Sequence, residues 1–229
     1  MLLDIQYDFF SNHELFSHLN DDEINELCST SEFNKAKKSD IIYFHNQRLD
    51  KVYIINQGRI KISICRDSEL EIITEILMEG DIFGALSLTT SENTTCEKAQ
   101  VLSNEVLFSS FNLPDFRSMM EKKPDFAIKY AKVITNKLNI VSKKYCDLVF
   151  DTVKARVLNF IKLHAKYEGK WIGKRVEINM FCNHNDIAKF TASSRQTVAT
   201  ILNELVREKK IICTGRKKLT IPDVTKLGI

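Results

Sequence analysis

Two polar residues, Arg195 and Gln196, stand at the start of an amphipathic helix that the sequence predicts after Ser194. A guanidinium binds the O6 and N7 atoms of guanine with two hydrogen bonds, and a Gln amide does the same for N6 and N7 of adenine. Ala199 and Thr200 lie one turn further along the same face, where Thr200 is placed to touch a thymine methyl or a phosphate. These residue types at this spacing predict base reading in the DNA major groove.

A short helix, a tight break and a second helix are needed to present these side chains. Asn183 and Asp186 have the spacing of a capping box for the first helix, and Ser194 is suited to cap the second after the break TASS. Two short helices joined in this way predict a helix-turn-helix. The residues expected to face inward are Ile187 and Ala188 in the first helix and Val198, Ile201, Leu202 and Leu205 in the second.

Other polar and basic side chains around these helices are suited to the sugar-phosphate backbone, because phosphate contacts position a protein without specifying sequence. Some of them lie in ICTGRKKLTIP, a basic wing in which a Gly turn separates two strand-like runs. The alternative interpretation of the two helices is a plain helical hairpin with a solvated polar face. The predicted phosphate contacts are His184, Lys189, Ser194, Thr197, Arg216, Lys217 and Lys218.

Charge is divided unevenly along the 229 residues. Residues 1–151 contain 17 Lys and Arg against 24 Asp and Glu, a net of −7, whereas residues 152–229 contain 16 against 6, a net of +10. A basic C-terminal third beside an acidic remainder favours a polyanionic partner. No apolar run approaches the roughly 20 residues that span a bilayer, and the acidic N-terminus does not suit a signal peptide. A cytoplasmic protein without a membrane partner is expected.

The cysteines and histidines show no metal-ligand spacing, which favours buried or free thiols over a metal, haem or iron–sulfur site. No nucleophile elbow, Walker loop or HExxH motif is present, so an enzyme is not expected. The six cysteines are Cys28, Cys65, Cys96, Cys146, Cys182 and Cys213.

The N-terminal half has the pattern of a small antiparallel β-structure. Asn20 and Glu23 predict a capped helix, and from Ser39 onward short β-rich runs alternate with turn residues. This pattern indicates an antiparallel roll or barrel. The turn from Gly80 to Gln100, GDIFGALSLTTSENTTCEKAQ, has the small residues of a loop whose amides could bind an anion. The predicted corners are Asn46, Gly58, Gly80 and Gly84.

A long helix beginning at Pro124 is predicted to follow, with apolar residues at alternating steps of four and three. This spacing favours a dimer seam over packing on the chain's own roll. A capped amphipathic helix follows Phe150, with Val153, Val157, Phe160 and Ile161 or His164 on one side, and then a hairpin in which Trp171 is expected to be partly buried. The predicted seam is Ala127, Ala131, Ile134, Leu138, Val141, Tyr145 and Leu148.

This order of elements resembles the Crp/Fnr family of bacterial transcription regulators over nearly the whole chain. The segments that carry the resemblance are HNQRLDKVYIINQGRIKIS, GDIFGALSL, PDFAIKYAKVITNKL and DIAKFTASSRQTVATILNEL. In the last of these, Ser194, Arg195, Thr197 and Val198 match the family's S-R-x-T-V core.

The resemblance implies an α+β chain with a cupin-like double-stranded β-helix. Residues 1–123 would form the sensor domain, 124–150 the dimerisation helix and 151–229 a winged helix-turn-helix. It implies a homodimeric DNA-binding regulator with a palindromic site, and it admits RNA polymerase as a further partner. The alternative is a small-molecule-binding module with a weak or vestigial DNA-binding half.

The residues that match the family's cyclic-AMP pocket depart from its pattern. The resemblance places Ala85 where the ribose-binding Glu stands, and Glu97 and Lys98 where the phosphate-binding Arg and Ser stand. A carboxylate repels a phosphate, and in the long helix Val141 replaces a Thr. No cofactor is expected, and cyclic AMP is not the expected effector. The degenerate pocket would comprise Gly84, Ala85, Leu86, Glu97, Lys98, Ala99, Val141 and Ser142.

The helix-turn-helix also departs from the family's pattern. Ala192 stands where Gly is usual, which predicts either a slightly strained turn or a shifted geometry. Gln196 and Thr200 replace the Glu and Arg of the best-known member, which predicts an altered half-site.

Overall fold

The structure, a computed structural model, describes residues 2–44, 50–66, 70–86, 96–180, 182–214 and 218–228. It divides into two compact units, Met1–Val141 and Ser142–Ile229, and the boundary falls inside one long helix. In the described part of the chain, no helix is both long and apolar enough to cross a membrane.

The first unit begins with helices. Helix α1 spans Leu2–Asn12, a 3-10 turn spans Glu14–Phe16 and α2 spans Asp21–Thr30. The predicted capping box of α2 is confirmed, because the Glu23 amide donates to Asn20 Oδ1 at 2.9 Å and the Asn20 amide donates to Glu23 Oε2 at 3.0 Å.

Two four-stranded antiparallel sheets follow, which confirms the predicted roll. Their strand orders are β1-β8-β3-β6 and β2-β7-β4-β5. Strand β1 was not predicted, because its sequence EFNKAK lacks an alternating apolar pattern. The strands are β1 Glu32–Lys37, β2 Ile41–Phe44, β3 Lys51–Gln57, β4 Ile60–Arg66, β5 Leu70–Leu77, β6 Ile82–Gly84, β7 Cys96–Val101 and β8 Glu105–Asn112.

Aromatic side chains fill two hydrophobic clusters in this unit. One cluster joins the N-terminal helices to the start of the long helix, and its stacked rings include Phe16 and Phe126 at 5.7 Å. The other lies between the sheets and is built around Tyr43, Tyr53 and Phe83. Each large ring buries a large apolar area, and so contributes strongly to the stability of the roll.

The predicted glycine corners have positive φ angles where the structure describes them, whereas Asn46 lies outside the described residues. Gly84 has φ +94°, and a Cβ atom there would lie 2.5 Å from the Lys51 carbonyl oxygen and 2.6 Å from the Tyr53 ring. Glycine is therefore required at this end of β6, where the backbone lies close to β3.

Helices α3, Leu113–Lys122, and α4, Pro124–Phe150, complete the first unit and lead into the second. Phe126 and Tyr130 of α4 are buried in the first cluster, and Ile134 packs against it. Ile134 therefore faces the chain's own core in part, although the sequence placed it in the dimer seam. Further along, Leu138 and Tyr145 are 63% and 68% exposed.

The second unit contains α5 Val153–Glu168, α6 His184–Phe190 and α7 Arg195–Arg207. Its antiparallel sheet has the order β11-β12-β10-β9. Trp171 lies on the edge strand β9 and is 47% exposed, so it is partly buried as the sequence predicts. The strands are β9 Lys170–Ile172, β10 Arg175–Asn179, β11 Ile212–Thr214 and β12 Lys218–Ile221, and a 3-10 turn spans Val224–Leu227.

Candidate nucleic-acid interface

Helix α6 begins with the predicted capping box. The Asn183 side chain accepts hydrogen bonds from the amides of Asn185 at 2.8 Å and Asp186 at 3.0 Å, and the Asn183 amide donates to Asp186 Oδ2 at 3.2 Å. Ile187 and Ala188 are buried as predicted. The cap satisfies amides that have no partner inside a helix, and so fixes where α6 starts.

The turn between α6 and α7 is held by hydroxyl groups and contains a strained residue. Thr191 Oγ1 donates to the Ile187 carbonyl at 2.8 Å, and the Ser193 amide donates to the Ala188 carbonyl at 2.9 Å. Between them Ala192 has φ +47°, in the left-handed region that is unfavourable for a residue with a Cβ atom. This confirms the strained turn that the sequence predicts.

Helix α7 separates its apolar and polar faces as the sequence predicts. Val198, Ile201, Leu202 and Leu205 are all buried. Arg195, Gln196, Thr197 and Thr200 are exposed, and Ala199 is half-buried. The exposed side chains at the start of the helix have the amide, guanidinium and hydroxyl groups that hydrogen bond with base edges.

Ser194 caps α7, and this role occupies its side chain. The Thr197 amide donates to Ser194 Oγ at 3.0 Å, and the two hydroxyl oxygens lie 2.8 Å apart. A residue predicted to contact phosphate therefore also fixes the first turn of the helix.

Arg156 of α5 joins the turn between α6 and α7 to the segment just before the start of α5, a role that the sequence did not reveal. Its Nε donates to the Thr191 carbonyl at 2.9 Å, and its Nη1 donates to the Asp151 carbonyl at 2.7 Å. One guanidinium thus ties the strained turn to the start of α5. These contacts are made by backbone carbonyls far apart in sequence, so no local pattern predicts them.

Two further residues of α7 extend the exposed face. Asn203 is seven positions after Gln196, and Arg207 is four positions after Asn203. Both are exposed. The signal for them is the helical spacing alone, since residues separated by four or seven positions share a face.

The remaining residues predicted to contact phosphate surround the two helices. His184 is exposed at the first position of α6, Lys189 is half-buried near its end, and Lys218 is exposed at the first position of β12. Arg216 and Lys217 lie outside the described residues.

In the first unit, two amides of the predicted effector pocket are already bonded within the chain. The Ala85 amide donates to the Lys51 carbonyl at 2.9 Å, and the Leu86 amide donates to the Gly84 carbonyl at 2.7 Å. The Leu86 carbonyl accepts from the Tyr130 hydroxyl at 2.7 Å. These two amides are used to shape the corner and are not directed at a ligand.

Glu97, which the resemblance places at the phosphate-binding position, is bonded inside the roll. Its carboxylate accepts a hydrogen bond from the buried hydroxyl of Tyr43. Burial, together with the charge of Glu97, raises the pKa of Tyr43 well above its usual value, so the phenol remains protonated and acts as the donor.

Lys98 points to a different partner, since its Nζ lies 2.7 Å from Glu71 Oε1. Of the other pocket residues, Ala85 and Ala99 belong to different hydrophobic clusters, and Val141 and Ser142 are exposed on α4. The residues at the ribose-binding and phosphate-binding positions that the resemblance implies are thus either apolar or bonded to other residues of the chain.

Two family models match the chain. The cyclic nucleotide-binding domain matches residues 33–123, and the Crp-like helix-turn-helix domain matches residues 155–228. The chain belongs to the Crp/Fnr family. Members of this family are transcription regulators and not enzymes, and their helix-turn-helix binds DNA.

Curated relatives of the family match along most of the chain. The Global nitrogen regulator of Nostoc sp. is 24% identical over 195 residues, which cover 85% of each chain. The CRP-like cAMP-activated global transcriptional regulator of Mycobacterium tuberculosis is 25% identical over 179 residues, covering 78% of this chain and 79% of that protein.

Solved structures of the family share the fold. A CooA mutant from Carboxydothermus hydrogenoformans has a TM-score of 0.74 at 21% identity and covers 88% of both chains. The c-di-GMP responsive global regulator CLP from Xanthomonas campestris has a TM-score of 0.73 at 14% identity, with 89% of this chain and 99% of that chain covered.

Proposed function

We propose that this DNA-binding transcription regulator acts as a homodimer that reads a palindromic site with α7. The observation that carries the proposal is the division of α7 into a fully buried apolar stripe and an exposed face led by Arg195 and Gln196. Such a helix can lie in the major groove while its other side remains fixed in the domain.

The second half of α4 supports a homodimer. Leu138, Val141, Tyr145 and Leu148 are between 41% and 68% exposed, and they recur at steps of three and four. Apolar residues at this spacing form the seam of a two-helix coiled coil. Two-fold symmetry of the protein then requires a palindromic operator, with half-sites about one helical turn apart.

The first unit is proposed to act as a sensor domain whose effector is not cyclic AMP. The names of relatives include both a cAMP-activated and a c-di-GMP responsive regulator, so this fold serves different ligands. In this chain, Glu97 is bonded to Tyr43, and its negative charge would repel a cyclic phosphate. Any effector must bind one arrangement of the two α7 helices better than another, because only differential affinity shifts an equilibrium.

Selection of bound sequences from random duplexes tests this proposal. The full chain should enrich a motif with two inverted half-sites, and Gln196→Ala should relax the preference at one position in each half-site while leaving the spacing unchanged. Glu177→Ala, at a half-buried position on β10, is a control expected to keep the wild-type motif. A motif without inverted symmetry, or an absence of salt-dependent affinity for any duplex, would contradict the proposal and favour a small-molecule-binding module.

A further inference from the structure

Two cysteines that are 31 positions apart in sequence meet across neighbouring strands of the roll. Cys65 on β4 is directly opposite Cys96 on β7 in the antiparallel register. Directly opposite residues of an antiparallel pair place their side chains on the same face of the sheet, next to one another. Both are free thiols and half-buried, so they are packed together yet accessible to a small solute.

This register places the two cysteines at a separation that a disulfide can bridge. Directly opposite residues in an antiparallel pair have Cα atoms about 4.5 or 5.5 Å apart, depending on the type of pair. Disulfides connect Cα atoms that are about 4.4–6.8 Å apart. The two sulfur atoms can therefore be joined without moving either strand out of register.

Charged side chains lie beside the two thiols. Lys98 and Glu71 form an ion pair at 2.7 Å, with both side chains only 15% exposed. Burial raises the pKa of the Cys65 thiol, the Lys98 ammonium opposes this rise, and Glu71 and Cys96 add to it. The Cys65 thiol is therefore protonated at neutral pH, and the ammonium offsets part of the effect of burial on the thiolate, which is the form that reacts with oxidants.

We propose that Cys65 and Cys96 form a redox-sensitive dithiol that a hydroperoxide converts into an intramolecular disulfide. One thiolate attacks the O–O bond of hydrogen peroxide, giving a sulfenic acid and hydroxide. The second thiol then attacks that sulfur, so that the S–S bond forms and water leaves. In total two thiols lose two electrons and two protons, and one peroxide is reduced to two waters. A small-molecule thiol reverses the reaction by exchange.

The position of the dithiol connects it to the sensor function, and this step rests on the proposed function. Cys96 directly precedes Glu97, whose carboxylate is bonded to Tyr43 in the interior of the roll. A covalent bond between β4 and β7 restrains the strand that carries Glu97. Oxidation will favour whichever arrangement of the roll accommodates the bond, and so provides an input to DNA binding.

Disulfide mapping of the full-length chain tests the site itself and needs no DNA. After treatment with hydrogen peroxide and alkylation of free thiols, digestion should release one peptide pair joined through Cys65 and Cys96, and dithiothreitol should separate it. Recovery of these cysteines as alkylated thiols, as separate sulfinic acids or in a bond between two chains would overturn the proposal. The exposed Cys146, on α4, is the internal control and should remain alkylated or form bonds between chains only.

DNA affinity tests the regulatory consequence. With a duplex obtained by the selection experiment, the dissociation constant should change about fivefold or more on peroxide treatment and return with dithiothreitol. Cys65→Ser and Cys96→Ser should each remove the response, whereas Cys146→Ser should keep it. Thermal unfolding checks that each variant is folded. A joined peptide pair with unchanged affinity would overturn the regulatory role, and loss of DNA binding by the reduced protein would instead contradict the proposed function.

Discussion

At the residue scale, Arg195 and Lys218 are both exposed cations of the second unit, but they are expected to act differently. Arg195→Ala should cost about 1–3 kcal/mol at one base position, because a bidentate contact to guanine is lost there. Lys218→Ala should weaken all duplexes alike, because a phosphate contact carries no sequence information. Competition binding over single-base variants of the operator at fixed salt measures both. A uniform loss for Arg195→Ala would refute its role in base reading.

Ala192 offers a second test at a single residue. The left-handed backbone conformation of Ala192 destabilises the folded state by about 1–2 kcal/mol, and glycine would remove this strain. Glycine also increases the conformational entropy of the unfolded chain, which offsets about 0.4–1 kcal/mol of that gain. We therefore expect Ala192→Gly to raise the free energy of unfolding by about 0.5–1 kcal/mol in urea denaturation. Ala199→Gly, inside α7, is the matched control and should lower it by about 1 kcal/mol. A loss of stability in Ala192→Gly would refute the strain.

His13 predicts how stability depends on pH. Its Nε2 donates to the Gly80 carbonyl at 2.9 Å and its Nδ1 accepts from the Leu15 amide at 3.1 Å, an arrangement that requires the neutral ring. Burial is the main cause that lowers the pKa of His13 below its usual 6.5. The unfolded chain therefore binds a proton that the folded chain resists, so stability should fall as the pH drops below about 6.5.

The measurement is the urea midpoint at pH values of about 7.5 and about 5.5. His13→Gln should reduce the difference between the two midpoints. Part of the difference should remain, because burial also lowers the pKa of His18. His184→Gln, which replaces an exposed side chain, should retain the wild-type difference. An unchanged difference in His13→Gln would show that this ring does not carry the effect.

At the scale of elements, two variants of α5 compare the contribution of half-buried hydrogen bonds to carbonyls with that of surface ion pairs to the stability of the helix-turn-helix. Arg156→Ala removes two charge-assisted hydrogen bonds and should lower the free energy of unfolding by about 2–3 kcal/mol. Lys154→Ala removes more exposed ion pairs to Glu204 at 3.1 Å and Glu208 at 3.2 Å, and should lower the free energy of unfolding by much less. Chemical denaturation of both variants gives the comparison, and equal costs would contradict it.

Helices and strands that are marked by residues close together in the chain could be predicted from the sequence, whereas contacts between distant elements could not. The capping residues Asn20, Asn183 and Ser194 are read from neighbours three positions away, and each caps its helix as expected. Strand β1 was missed because it is polar. Arg156 and the Cys65–Cys96 pair depend on tertiary packing, which no spacing in the sequence encodes.

At the scale of the whole molecule, the exposed seam of α4 predicts the oligomeric state. Leu138→Glu should convert the proposed dimer to a monomer, because it places a charge at the centre of an apolar seam. Asn136→Glu lies on the opposite side of the same helix and should leave the dimer intact. Sedimentation velocity distinguishes the two species. A wild-type monomer, or a dimer in Leu138→Glu, would contradict the seam.

The boundary between the two compact units has a practical consequence for anyone who separates them. It falls after Val141, so the last turns of α4 belong with the DNA-binding unit, where Lys144 Nζ lies 3.7 Å from the centre of the Phe190 ring. A fragment that starts at the end of α4 would leave that ring without its cation partner. An isolated DNA-binding fragment should therefore begin at Ser142, and the helix that precedes α5 should be treated as part of its fold.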